Sequence, residues 1–136
     1  RTIEVQCRRL DSLADQIGPA KAVFCDAEGA EAMILRGGLR YFAQYKPVMV
    51  LEASPKLLVR AGSNLVQLHE TLRALDYVAF AVSRFGLTRV VDLNNNTAEN
   101  WFSVHNSMIR RARKGSLSIA RCGLMPCLRG LNPLCR

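Results

Sequence analysis

Ile3, Val5 and Cys7 alternate with polar residues, the period of a half-buried strand. Asp11-Ser12 then offers a helix N-cap, Leu13, Ala14 and Ile17 mark one helical face, and Gly18-Pro19 stops it. Ala22-Val23-Phe24-Cys25 is a continuous apolar run that ends at Asp26. Such a run predicts a strand buried on both faces, as in a parallel sheet covered by helices. Glu28 to Arg36 reads as a helix, with Ala30, Met33 and Ile34 at helical spacing and Gly37-Gly38 as its end. Leu39, Phe42 and Ala43 form a short amphipathic piece. Pro47 opens a second apolar run, Val48 to Leu51, which closes on Glu52.

Ser63 or Asn64 can cap the next helix, whose buried stripe is Leu65, Leu68, Leu72 and Leu75. Strands are predicted at Tyr77 to Val82, Thr88 to Val91 and Trp101 to Val104, with Asn94-Asn95-Asn96 as a loop. Strand and helix alternate first, and strands dominate afterwards. The order predicts an α/β fold with antiparallel strands at the C-terminal edge. Sheets of this kind bind ligands at the carboxyl ends of their strands. Asp26 and Glu52 stand at two such ends.

Charge divides the chain. Residues 1–109 carry 12 Lys and Arg against 11 Asp and Glu, whereas residues 110–136 carry seven Lys and Arg and no acid. The body is near neutral, which argues against specific nucleic-acid binding by a basic folded face. Residues 110–136 read as a separate, flexible basic tail containing Cys122, Cys127 and Cys135. Those cysteines lack paired zinc spacing. Arg110-Arg111-Ala112-Arg113-Lys114 is a cluster able to meet phosphates, and Arg113 stands three residues before Ser116, a weak phosphorylation cue. Five cysteines at uneven spacing suggest no disulfide framework. Cys7 and Cys25 read as small core residues, and a reducing, cytoplasmic setting is expected. No apolar run approaches the ~18–20 residues of a membrane span.

The segment Asp26-Ala27-Glu28-Gly29-Ala30-Glu31 joins a strand end, a tight turn and a helix start, with three carboxylates in six residues. One account is structural: Asp26 caps the helix, and Glu28 and Glu31 complement its dipole. Gly29 permits close approach of the backbone to a ligand or a neighbouring strand. The other account is chemical. Carboxylates at a sheet's ligand-binding end can orient a hydroxyl or take its proton. Hard oxygen ligands also suit magnesium, but nothing in the sequence requires a metal. His69 reads as a boundary histidine. His105 closes the last strand, where either a packing or a cleft role fits. Trp101 and Phe102 read as edge packing.

Four segments in order resemble the C-terminal portion of the FkbM family of methyltransferases: Leu10-Asp11-Ser12-Leu13, the acidic turn from Asp26 to Glu31, Leu35-Arg36-Gly37-Gly38, and the proline-led strand from Pro47 to Glu52. The resemblance runs from Val5 to His105, about three-quarters of the chain by eye. It implies a partial Rossmann-like sheet of the class I methyltransferase type, within a domain spanning 1–109. It implies S-adenosyl-L-methionine as methyl donor, and transfer to a hydroxyl oxygen of a small-molecule, sugar or lipid acceptor. Carried over, Asp26 and Glu28 would be catalytic, and Glu31, Glu52 and Gly29 would line or support the cleft.

Two departures accompany the resemblance. Phe24 stands where the family usually has a lysine, and no glycine-rich loop precedes Asp26. The resemblance therefore begins midway through the family's domain. The chain alone is expected to lack most donor contacts and the central strand, to be inactive by itself, and to be poorly soluble. A second reading is a non-catalytic remnant that meets anionic partners through its basic tail.

Overall fold

Two parallel strands organise the N-terminal half. β1 (Ala22–Cys25) pairs in register with β2 (Val48–Glu52), Cys25 opposite Leu51. Between them run α2 (Glu31–Gly37) and α3 (Leu39–Tyr45), preceded by the single-turn α1 (Ala14–Ile17). The structure is a computed structural model that describes residues 2–83, 86–94 and 98–109. Every expectation placed on the basic tail lies outside the described residues, as do Asn95 and Asn96.

After β2 come α4 (Pro55–Arg60) and α5 (Leu65–Ala74), then β3 (Tyr77–Ser83), β4 (Gly86–Arg89) and β5 (Asn100–His105). The sheet order is β1-β2-β5-β3-β4, and every pairing beyond β1–β2 is antiparallel. The α/β fold with antiparallel strands on the C-terminal side is thus present. The last strand among the described residues is the middle one in space. Trp101 is consequently not an edge residue: it is fully buried between Leu51 of β2 and Ala81 of β3.

The helices gather on one face of the sheet. Ala32 and Leu35 of α2, Phe42 of α3, Leu58 of α4, and Leu68 and Leu72 of α5 pack with Met49, Leu51, Tyr77 and Trp101. Burying each of the two α5 leucines stabilises the fold by roughly 2 kcal/mol. Asn64 caps α5, its Oδ1 accepting the Gln67 N–H at 2.9 Å. The opposite face holds a smaller cluster, Val78, Phe80 and Val104, joined by Val48, Leu87, Phe102 and Ile109. Pairing register puts Phe24, Val50, Phe102 and Phe80 in one row across that face.

Three expectations need correction here. Residues 2–9 form no strand and are exposed, with Ile3 at 74% and Val5 at 73%. Alternation makes a strand only where a partner supplies the ladder, and none does so among the described residues. Cys7 is likewise exposed rather than core. β1 is not buried on both faces: Cys25 is buried, but Phe24 is 73% exposed. β1 is an edge strand, and its second face carries no helix among the described residues. Among those residues no helix is long and apolar enough to cross a membrane.

The N-terminal segment is held by polar contacts. Asp11 does not cap its own helix. Its carboxylate accepts the N–H groups of Arg40 and Tyr41, at 3.3 and 2.9 Å, and so caps α3 from outside. Burial opposes ionisation of Asp11. The two N–H groups and the Arg40 and Arg9 charges outweigh it and hold the carboxyl below its usual range. The Tyr41 hydroxyl donates to Gly18 O and accepts from Ala20 N–H, fixing the turn before β1.

Candidate functional site

Parallel pairing makes β1 and β2 end side by side. With Cys25 opposite Leu51, the next residues, Asp26 and Glu52, emerge together at the carboxyl end of the sheet. Asp26 stands close enough to Glu52 to act on its ionisation. Glu52 is half-buried, and its Oε2 is buried without a hydrogen-bond partner. Burial, followed by the charges of Asp26, Glu28 and Glu31, pushes the Glu52 carboxyl above its ordinary range. Asp26 itself is exposed. The pair is therefore one open carboxyl backed by one that binds its proton tightly.

The turn after Asp26 is built unusually. Helix α2 starts at Glu31 rather than at Glu28. Residues 27–30 instead form a turn closed by Ala30 N–H to Ala27 O at 3.1 Å. Both central residues have positive φ, 53° at Glu28 and 101° at Gly29, as in a type I′ turn. Glycine is required at the second position for a further reason. A Cβ on Gly29 would stand 2.1 Å from the carbonyl oxygen of Leu57. The close approach anticipated for this glycine is to the backbone of α4, not to a strand.

Glu31 holds the turn from inside. It is 1% exposed, and its Oε1 accepts the N–H groups of Ala27 and Gly29 at 2.8 and 3.4 Å. Its Oε2 is buried with no hydrogen-bond partner. Glu28 points outward and pairs with Arg60 of α4 at 3.3 Å. Both members of that pair are well exposed, so its stabilisation is small. Strained backbone at a non-glycine residue persists where its surroundings fix it. Here Glu31, Arg60 and the Leu57 carbonyl supply those surroundings.

The structure therefore brings Asp26, Glu28, Gly29, Glu31 and Glu52 to one end of the sheet. Cys25 lies beneath them, and burial together with the Glu31 and Asp26 charges pushes its thiol up to about 11. A thiol so held is a poor nucleophile at neutral pH. Among the described residues no group of three or more His, Cys, Asp or Glu is arranged to hold a metal ion.

His105 is not part of this site. β5 runs antiparallel to β2 with Asn100 opposite Glu52, so His105 lies at the far end of the sheet. There it is buried, stacked edge-on to Tyr77 and 3.6 Å from Asp76. Sequence reading missed α4 and with it Arg60. Ser54-Pro55 was an available signal, since proline is favoured in the first turn of a helix. The contact of Ala53 N–H with Glu99 O at 2.6 Å, which brings the end of the 90–99 loop beside Glu52, had no local signature.

A model of the FkbM methyltransferase domain matches residues 1–79 of the 136. The chain belongs to the FkbM methyltransferase family. Comparison with curated proteins and with solved structures finds no match. The FkbM match includes the whole acidic turn and β2 and ends at Ala79, within β3. It is shorter at its C-terminal side than the resemblance up to His105. The remaining strands β4 and β5 nevertheless complete the same sheet. The FkbM domain here is thus a methyltransferase-type α/β unit with its acidic turn at the carboxyl end of the parallel pair.

Proposed function

We propose that this FkbM domain supplies the acceptor side of an S-adenosyl-L-methionine-dependent O-methyltransferase, acting on a hydroxyl of a small molecule, sugar or lipid. The observation that carries the reading is the placing of Asp26 and Glu52 side by side at the carboxyl ends of the parallel strands β1 and β2. Strands 1–5 all fall within the proposed domain 1–109; the charge and composition of 110–136 support reading it as a separate tail. The free cysteines Cys7 and Cys25 fit a reducing, cytoplasmic setting.

The residues suit a cationic methyl donor. Four carboxylates converge, and Glu52 Oε2 has no protein partner. Glu52 and Glu28 would face the donor's positive charge, leaving Asp26 to the acceptor. When bound, S-adenosyl-L-methionine supplies an electrophilic methyl group on sulfonium sulfur. Asp26 accepts a hydrogen bond from the acceptor hydroxyl and orients its oxygen. As the oxygen gains the methyl group, its proton passes to the Asp26 carboxylate. Glu52 stands behind Asp26 on the neighbouring strand and bounds the cleft there. Glu28 reaches the open rim, Glu31 fixes the turn and Gly29 allows the turn to seat on α4. The edge of β1, unpaired among the described residues, and the exposed Phe24 offer a seat for a further strand carrying donor contacts.

The test is transfer of labelled methyl from S-adenosyl-L-methionine by the full-length protein to a panel of alcohols, sugars and hydroxylated lipids. Label in a methyl ether that survives alkali supports the reading. Label only in alkali-labile esters, or on nitrogen, or no transfer to any hydroxyl acceptor, overturns it.

A further inference from the structure

A second cluster of charge lies across the helical face from the acidic turn. His69 and Arg73 are one turn apart on α5 and face the β3–β4 edge, where Arg89 closes β4. Together with Tyr77, Ala79 and Val90 they line a cleft of about 220 Å³. The chemistry of this cleft is one-sided. Neither Arg73 nor Arg89 has an ion-pair partner among the described residues. Every acidic side chain of the protein lies within those residues. Two guanidinium groups without ion-pair partners therefore border one cavity.

We propose that the His69–Arg73–Arg89 cleft binds a phosphate group, either free or as the phosphate ester of a small ligand. Guanidinium groups present planar forks of N–H donors that match phosphate oxygens. His69 adds a third donor, and its ring is fixed edge-on against Trp101 with centroids 6.0 Å apart. A cavity of this size accepts a tetrahedral oxyanion with a small substituent. Tyr77 forms the floor but does not donate to the cleft, since its hydroxyl donates to Pro47 O at 2.8 Å.

The groups facing His69 are Arg73 and Glu70 from its own helix and Arg89 from β4. Burial, then the Arg73 charge, with Arg89 adding to it and Glu70 opposing, hold the imidazole below its ordinary range. A bound dianion offsets both arginines and reverses that bias.

The experiment is imidazole NMR of the full chain titrated with pH, in inorganic phosphate and in chloride at matched ionic strength. Phosphate is expected to raise the His69 midpoint by about one unit, while His105, at the far end of the sheet, stays unmoved. The Arg73→Gln and Arg89→Gln variants are expected to weaken the phosphate response at least about tenfold. Both arginines are exposed, and a thermal melt of each variant checks that it folds. No differential shift of His69, an equal shift of both histidines, or an undiminished response in the folded double variant overturns the proposal. Methyl transfer has no part in this readout, so failure here leaves the function assigned to Asp26 intact.

Discussion

Asp26 and Glu52 follow directly on two adjacent parallel strands, and the Asp26 charge acts on the half-buried Glu52 carboxyl. A proton on Glu52 is held more tightly in the folded chain than in the unfolded one, because Glu52 is desolvated and faces three other carboxylates. A raised folded value means that the stabilisation is complete below the ordinary glutamate range. It is lost as pH rises through the raised value. Glu52→Gln cannot ionise. Its melting temperature is expected to exceed that of the parent near pH 7 to 8, with the gap closing toward about pH 4. A variant less stable than the parent across that whole range would contradict the burial argument.

Gly29→Ala meets two penalties at once. The residue sits at φ 101°, and its new Cβ would overlap the Leu57 carbonyl. Strain of each kind costs about 1–3 kcal/mol. The expected loss is at least about 2 kcal/mol in denaturant unfolding. A loss within about 0.5 kcal/mol would show that the turn does not seat on α4.

Asp11→Ala removes the external cap of α3, and a loss of about 1 kcal/mol is expected. The sign with pH is opposite to that for Glu52. Asp11 has a lowered folded value, so its contribution is present above the ordinary aspartate range. It disappears as pH falls through the lowered value. Urea midpoints of parent and variant should therefore converge in acid, and a gap that widens in acid would count against the cap.

Ser103 is fully buried on β5, and its Oγ has no hydrogen-bond partner. An unmatched hydroxyl in the core costs about 1–3 kcal/mol. Ser103→Ala removes the hydroxyl and only a small volume. Its melting temperature is expected to match or exceed that of the parent, and a marked drop would reveal a partner for Oγ.

The acidic site was legible in the sequence because both strands are short apolar runs stopped by a carboxylate. Strand ends need no long-range information, and a helical connection between two runs makes them parallel. Glu28 was misplaced on the helix because acids are common in first turns. Its positive φ comes from the tertiary grip of α4, which no local pattern records. Trp101 was misplaced for a related reason: whether the last strand inserts centrally or adds at the edge is decided by non-local pairing. Ile3 to Cys7 shows the converse, a correct period without a partner. The wide separation of His105 from Glu52 followed only once β5 was known to run antiparallel to β2.

The central claim is that Asp26 handles the acceptor proton rather than the donor. It is tested most directly by comparing Asp26→Asn with the parent full-length protein, reading kcat for methyl transfer to a hydroxyl acceptor alongside calorimetric affinity for S-adenosyl-L-methionine. The account predicts that kcat falls at least about 100-fold while donor affinity stays within about threefold. An unchanged kcat, or a loss of donor affinity that accounts for the whole fall in rate, would contradict it.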